Sequence, residues 1–244
     1  MKNRILSSFV LFAAIAWQGC KPEKNIEATV KFVLTYSING QTPTIDGALS
    51  YTNAAGNIFN LKTLKYYLSN VVLVNTDGSR KELKNYQFIN LSDASSQNFS
   101  FEKIPNGSFS KIEFYIGVDS LANSTGVHTG ALDPANQMYW GWDFGYRFWL
   151  IEGIYQKTSS ITSAFGYHIG TDTNLVKMSL LANFKIDGIE RVITLNCNLD
   201  EFFKDPTVWD IKSEETNHSF PGQEAGAATL AKNMADMFSV GKIE

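Results

Sequence analysis

The feature that most constrains the fold is an alternation of apolar and polar residues with a period of two. Val30, Phe32, Leu34 and Tyr36 are separated by mostly polar residues, and apolar residues alternate again over residues 112–118. Residues two apart lie on the same face of a strand, so each segment predicts a half-buried β-strand. Further strands are predicted over residues 64–74, 86–91, 98–104, 175–186 and 191–199.

Turn residues separate these segments. Asp77-Gly78 ends one predicted strand and Asp187-Gly188 joins two others. Asp-Gly pairs favour hairpins because they tolerate the positive φ angles of tight turns. We therefore predict an all-β fold, an antiparallel β-sandwich. Helical spacing of apolar residues adds a short C-terminal helix over residues 223–238, and residues 200–204 are predicted to form a single turn.

The N-terminus has the features of an export signal. Lys2 and Arg4 precede an apolar run that is too short to span a bilayer, and Gly19-Cys20 follows it. The sequence Trp17-Gln18-Gly19-Cys20 resembles a lipobox, although Trp17 replaces the usual small aliphatic residue. We therefore predict a signal peptide over 1–19, a lipidated tether over 20–27 and one domain over 28–244. An ordinary signal peptide with an incidental cysteine is the alternative.

These features predict a protein of the cell envelope that is held at the periplasmic face or the cell surface by a lipid on Cys20. No later apolar stretch is long enough for a transmembrane helix, so the rest of the chain is expected to be soluble. The formal charge of −3 and the absence of a Lys/Arg cluster argue against a nucleic-acid partner. Cys197 is in phase with Ile193 and Leu195, so we predict a buried core thiol.

Motifs for catalysis are absent from the sequence. We find no nucleophile elbow, HExxH, phosphate-binding glycine loop or CxxC, and therefore expect no enzymatic activity. Asp133, Asp143 and Glu152 are close in sequence, and solvated loop or strand-edge positions explain them.

The chain has three histidines, His128, His168 and His218. Their wide separation is not a metal-ligand spacing, so by themselves they are best explained as exposed or hydrogen-bonded residues. In a strand, His168 would point away from the apolar face formed by Phe165 and Ile169 and would be available for binding.

The segment richest in aromatic and candidate residues spans residues 131–153. If this segment is extended, Met138, Trp140, Trp142 and Phe144 share one face. A core strand is the simplest interpretation. Exposed rings would instead favour a non-enzymatic surface lipoprotein that binds glycans or another partner.

Several separated motifs in this order resemble the MbnP family of periplasmic or lipid-anchored copper-binding proteins, which are related to the surface copper proteins MopE and CorA. The motifs are Tyr66-Tyr67-Leu68-Ser69-Asn70, Gly117-Val118-Asp119-Ser120, Met138-Tyr139-Trp140-Gly141-Trp142, Gly145-Tyr146, Glu152-Gly153, Phe165-x-Tyr167-His168-Ile169-Gly170 and Met237-Phe238-Ser239-Val240. The resemblance covers nearly the whole chain after the signal peptide and implies a β-rich copper-binding protein.

The resemblance also implies a site. In relatives, histidines hold Cu(I) beside a tryptophan oxidised to kynurenine, and a dihaem cytochrome c peroxidase partner can perform the oxidation. His168 matches the family motif, His218 lies in a later histidine-containing loop, and His128 matches more loosely. The modified tryptophan of the MopE type stands two residues before the first ligand histidine, where this chain has Gly126. Trp140 and Trp142 therefore become the candidates for the modified or copper-proximal ring.

Overall fold

The computed structural model describes residues 27–83 and 86–244. The predicted signal peptide, Cys20 and the tether up to residue 26 lie outside the described residues. In the described part, the strands are β1 (Glu27–Ser37), β2 (Tyr51–Thr52), β3 (Ile58–Asn75), β4 (Arg80–Glu82), β5 (Tyr86–Asn90), β6 (Asn98–Pro105), β7 (Gly107–Ile116), β8 (Tyr139–Gly141), β9 (Gly145–Gln156), β10 (Thr162–Gly170), β11 (Val176–Ile186), β12 (Arg191–Asn198), β13 (Thr216–Asn217) and β14 (Phe238–Ile243).

The helices of the described residues are short. The α-helices are α1 (Ser120–Ser124) and α2 (Glu224–Asn233). The 3-10 turns span Ala94–Gln97, Gly130–Leu132, Pro134–Asn136, Asp172–Asn174, Glu201–Phe203 and Met234–Asp236. Among the described residues, no helix has the length and apolar character needed to cross a membrane.

Two sheets form the sandwich. The small sheet has the order β14-β12-β1-β6. The large sheet has the order β11-β7-β3-β9-β10-β13, with β2, β4 and β5 also pairing with β3, and β8 pairs with β9. The predicted all-β sandwich is therefore confirmed. Most pairs are antiparallel, but β1 pairs with β12 and β10 with β13 in parallel, which the prediction of an antiparallel sandwich did not include.

Aromatic rings from both sheets fill the space between them. Phe32 on β1 stacks on Phe99 of β6, with ring centres 5.3 Å apart. Tyr66 on β3 stacks on Trp149 of β9, with ring centres 4.8 Å apart. Cys197 is fully buried in this core, as predicted, and burial raises the pKa of its thiol. Packing of large apolar side chains is therefore the main source of stability.

The central strand β9 carries apolar side chains on both faces, and both faces are covered by other parts of the protein. Trp149 and Ile151 belong to the core between the sheets. Phe148 and Leu150 belong to a second apolar cluster that includes Ala122 of α1. Successive residues of a strand point to opposite faces, so this second cluster lies on the face turned away from the small sheet. We call this face the outer face.

One predicted hairpin is wrong. The strands on either side of Asp187-Gly188 do not pair with each other: β11 pairs with β7 in the large sheet, and β12 pairs with β1 and β14 in the small sheet. Each strand alternates and has one apolar face, so the two can bury those faces from opposite sides of the core. The turn therefore crosses between the sheets.

The predicted C-terminal helix is shorter than expected. It ends at Asn233, a 3-10 turn follows, and Phe238 begins β14, which pairs with β12. The predicted turn near residues 200–204 is present as Glu201–Phe203. The helical spacing of apolar residues continues up to Phe238, which is why a longer helix was expected. In the structure Phe238 begins the edge strand of the small sheet, and this tertiary contact ends the helix.

The aromatic segment is also not one extended strand. Gly141 and Gly145 both have positive φ angles and enclose a turn, which ends β8 after three residues. Trp142 lies in this turn and is 76% exposed, whereas Met138 is fully buried. The predicted shared face of these residues is therefore wrong.

We predict that Gly153→Ala lowers the free energy of unfolding by about 2–3 kcal/mol. A Cβ atom at Gly153 would lie 2.0 Å from the backbone oxygen of Asn60 on β3 and 2.6 Å from the ring of Phe165. Gly166→Ala on β10 is the matched control, since its Cβ would approach no atom closer than 3.7 Å. Urea unfolding measures both variants, and equal stabilities would contradict this account of strand packing.

Candidate functional site

His168 and His218 lie side by side on the outer face. His168 is opposite Leu150 in the β9–β10 register, and directly opposed residues share a face of the sheet. β13 pairs in parallel with β10 at Gly166 and Tyr167, so the residue after β13 falls next to His168. The Nδ1 atoms of the two histidines are 3.0 Å apart, and the ring planes are nearly perpendicular at 89°.

Backbone contacts hold the two histidines in this arrangement. The N–H of His218 donates to Oε1 of Gln223 over 2.7 Å. The hydroxyl of Ser219, the next residue, accepts a bond of 3.1 Å from the N–H of Gly170 on β10. The loop that carries His218 is therefore tied to the strand that carries His168.

Glu152 on β9 fixes the tautomer of His168. Its Oε1 atom is 2.8 Å from Nε2 of His168. An ionised carboxylate only accepts hydrogen bonds, so Nε2 of His168 carries the proton and its Nδ1 presents a lone pair towards His218. The hydrogen bond from His168 holds the pKa of Glu152 below its usual value, although partial burial opposes this effect. The side chain of Glu152 is 40% exposed, whereas that of His168 is only 13% exposed.

The environment of His218 disfavours its protonated form. Burial lowers the pKa of His218, and the positive charges that His168 and Arg147 can carry lower it further. With the proton of His168 on Nε2, Nδ1–H of His218 donates to Nδ1 of His168. A shift of this proton from Nδ1 to Nε2 of His218 would leave two neutral ring nitrogens with lone pairs facing the same point.

Aromatic rings enclose the pair on one side. The ring of Phe220 stacks on His218, with centres 5.8 Å apart and planes within 16°. Trp140 lies 5.1 Å from Phe220 and 6.4 Å from His168, measured between ring centres. The ring centre of Phe144 lies 4.8 Å from that of Phe220. These rings exclude water from part of the site and lower the local dielectric.

Gly170 allows Trp140 to approach the sheet. A Cβ atom at Gly170 would lie 2.6 Å from the indole ring of Trp140. The guanidinium carbon of Arg147 is 5.2 Å from the centre of the same ring, a distance typical of a cation–π contact. Trp140 is therefore held between the end of β10 and the start of β9, beside the histidine pair.

His128 occupies a different environment. Its Nε2 atom is 3.0 Å from the carbonyl oxygen of Ala122 and 3.1 Å from Oγ1 of Thr125. Its backbone N–H donates to the hydroxyl of Tyr146. In the part of the chain that the structure describes, His128 has no hydrogen bond or ring contact with His168 or His218.

Trp142 fills the space beside Gly126. A Cβ atom at Gly126 would lie 2.3 Å from the indole ring of Trp142, and Gly126 has a positive φ of 88°. The side chain missing at position 126 is therefore replaced in space by a ring from the turn after β8. Trp142 remains largely exposed, unlike half-buried Trp140.

Two residues of this site received no site role from the sequence. Glu152 was assigned a solvated position, and Arg147 was not singled out. The turn residues 157–161 could have indicated Glu152, because a hairpin centred there pairs Glu152 with Gly166 and brings it diagonal to His168. Arg147 has no comparable signal, because its contact with Trp140 depends on the turn that follows β8.

A separate group of three carboxylates comes from residues 201–236. Glu201, Asp205 and Asp236 have oxygen atoms within 4.8 Å of one another. Lys204 already pairs with Glu201 over 2.8 Å. This acidic group, in which Asp205 and Asp236 are exposed and Glu201 is half-buried, has hard oxygen donors and differs chemically from the histidine pair.

Residues 27–220 match the model of the MbnP family. The chain belongs to the MbnP family. The match covers all three histidines and both candidate tryptophans, while α2 and β14 follow it. The structure of MbnP from Methylosinus trichosporium is similar to this chain, with a TM-score of 0.63 over 88% of this chain and 98% of that chain, at 16% identity. This likeness shows a shared MbnP fold. We found no match among curated proteins.

We predict that His218 titrates below the ordinary histidine pKa of 6.5. A histidine whose pKa is lowered by folding takes up its proton more readily in the unfolded chain, so stability falls as the pH is lowered through 6.5 and below. Ring-proton NMR of the metal-free protein measures this pKa. Urea unfolding at pH 7 and pH 5.5 should show a smaller loss of stability for His218→Gln than for the natural chain. A ring pKa of 6.5 or above would contradict the arrangement.

Proposed function

We propose that this MbnP-family protein binds one copper ion as Cu(I) through Nδ1 of His168 and Nδ1 of His218. The observation that carries the proposal is the 3.0 Å separation of these two nitrogens, with Glu152 on the opposite nitrogen of His168. Metal-bound histidines commonly donate their second ring N–H to a carboxylate, which orients the ring and increases its basicity. The pair has this arrangement in the structure.

The donors fit reduced copper. Metal–imidazole bonds are about 2 Å long, so nitrogens about 3 Å apart can reach one ion with small side-chain movements. Imidazole suits copper, and Cu(I) accepts few ligands. The carboxylate of Glu152 is bound to Nε2 of His168 and not to the facing nitrogens, so the two donors are neutral imidazoles. Copper bound there would supply a soft metal centre, while the protein residues position it and exclude water.

Trp140 is the ring that we assign to the copper site. It lies 6.4 Å from His168, whereas Trp142 packs beside Gly126 and faces solvent. Oxidation of a tryptophan to kynurenine by a dihaem cytochrome c peroxidase partner, as the family resemblance implies, stays a prediction for this chain. If a tryptophan beside the copper site is oxidised in this way, the distance to His168 favours Trp140 over Trp142.

We further propose a non-enzymatic role in copper acquisition or handling at the cell envelope. The support is the signal-like sequence that ends at Gly19-Cys20, together with a site built from ligands and packing residues. A lipid on Cys20 would hold the domain at the membrane, on the periplasmic face or the cell surface. The anchor contributes no ligand to the histidine pair.

Glycan binding is the alternative function, and the exposed ring of Trp142 is the observation that favours it. A sugar-binding platform commonly needs neighbouring exposed rings that can stack on sugar faces. Of the aromatic residues near Trp142, Tyr139, Trp140 and Phe144 are half-buried and contact other rings. The geometry therefore supports copper binding better than glycan binding.

We predict that the purified protein binds about one equivalent of Cu(I), and that His168→Ala and His218→Ala each abolish this binding. Anaerobic titration against a chromophoric Cu(I) chelator measures the stoichiometry and affinity. His128→Ala is the matched control, because His128 is hydrogen-bonded within its own loop.

The outcomes of this titration separate the ligands. Retention of copper by His128→Ala would support the two-histidine site, and its loss would add His128 as a ligand, as the family resemblance implies. Equal uptake by His168→Ala and the natural chain would contradict the proposal.

A further inference from the structure

The charged residues around the histidine pair influence whether it binds a monovalent or a divalent metal ion. Arg147, Glu152 and His168 line one cleft, together with Lys65. The pair itself offers uncharged imidazole nitrogens, and the carboxylate of Glu152 is bound to Nε2 of His168, on the far side of that ring from Nδ1. An ion held at the two Nδ1 atoms would therefore meet the positive charge of Arg147 without a carboxylate ligand of its own.

Arg147 is held firmly in this position. Its backbone N–H donates to the carbonyl oxygen of Met138 over 2.7 Å, and its Nη1 donates to the carbonyl oxygen of Gln137. Its guanidinium carbon lies 5.2 Å from the ring centre of Trp140, which itself lies 6.4 Å from the ring centre of His168. Among the described residues, the buried Nε of Arg147 has no hydrogen-bond partner. The carboxylate of Glu152 in the same cleft offsets part of its charge, and the guanidinium group is fixed beside the pair.

We infer that Arg147 makes the His168–His218 pair select a monovalent soft cation over divalent cations, an inference that rests on the proposed copper site. The repulsion between Arg147 and a bound ion is proportional to the charge of the ion, so it is twice as large for Zn²⁺ as for Cu⁺. Aromatic rings and half-burial keep the effective dielectric below that of water, which preserves the difference. Imidazole alone would not discriminate in this way, since it also suits zinc.

The test compares the affinities of Cu(I) and Zn(II) for the purified natural protein and for Arg147→Gln. The side chain of glutamine is polar and uncharged, so the variant removes the charge. Each metal is titrated alone against a competing chelator. We expect both affinities to rise, with that of Zn(II) rising about tenfold more than that of Cu(I).

Arg147→Lys is the matched control, because it retains the positive charge but loses the planar contact with Trp140. We expect its ratio of Cu(I) to Zn(II) affinity to stay close to that of the natural protein. Lys65→Gln removes another positive charge from the same cleft. We expect it to lower the ratio of Cu(I) to Zn(II) affinity, by less than Arg147→Gln does. It also keeps the inference testable if Arg147→Gln does not fold, which circular dichroism reveals.

The outcomes separate this inference from the proposed function. Absence of Cu(I) binding by the natural protein would overturn the copper site itself. Cu(I) binding with an unchanged affinity ratio in Arg147→Gln would overturn the inference and leave the copper site in place. If Arg147→Gln and Arg147→Lys changed the ratio of Cu(I) to Zn(II) affinity equally, the inference would also be overturned, because the packing of the side chain and not its charge would then be responsible.

Discussion

Burial of both faces of β9 is the constraint on which the site depends. Trp149 packs into the core between the sheets, while Phe148 and Leu150 pack into the cluster on the outer face. A slip of one residue would exchange these faces and turn the carboxylate of Glu152 towards the core between the sheets, where burying it is costly. The register is therefore strongly specified, and it places Glu152 on the outer face within hydrogen-bonding distance of His168. The stability of the sheet and the geometry of the site have the same origin.

The residues of the site come from parts of the chain that are both near and far apart in sequence. Glu152 and His168 are brought together by adjacent antiparallel strands, whereas His218 reaches them through the short parallel strand β13. The hydrogen bonds of Ser219 and Gln223 then hold the last histidine in place. This organisation links a rigid strand to a loop, so one ligand is fixed by the sheet and the other by local hydrogen bonds. Such preorganisation reduces the ordering needed when an ion binds.

The sequence predicted the local elements better than their partners. The alternation in β1 and the buried position of Cys197 follow directly from period-two spacing, and the structure has both. The hairpin at Asp187-Gly188 failed because a turn signal does not say whether the next strand stays in the same sheet. Trp142 was placed on a common face with Met138 because glycines at 141 and 145 allow a turn that apolar spacing alone does not reveal. Tertiary packing decided each of these cases.

The same limit applies to the site. The orientation of His168 away from the apolar face of its strand could be predicted from alternation. Its pairing with His218 could not, because a parallel contact between β10 and β13 is a long-range event with no local signal. The family resemblance pointed to both histidines, and the structure adds their mutual distance and the carboxylate behind one of them. The position of Arg147 beside the site is known only from the folded structure.

The most direct test of the central claim is anomalous diffraction at the copper edge from crystals of the protein loaded with Cu(I) under anaerobic conditions. The account predicts one strong copper peak bonded to Nδ1 of His168 and Nδ1 of His218, with Glu152 still hydrogen-bonded to His168. A peak at His128 alone, or at the carboxylates of Glu201, Asp205 and Asp236 with none at the histidine pair, would contradict it.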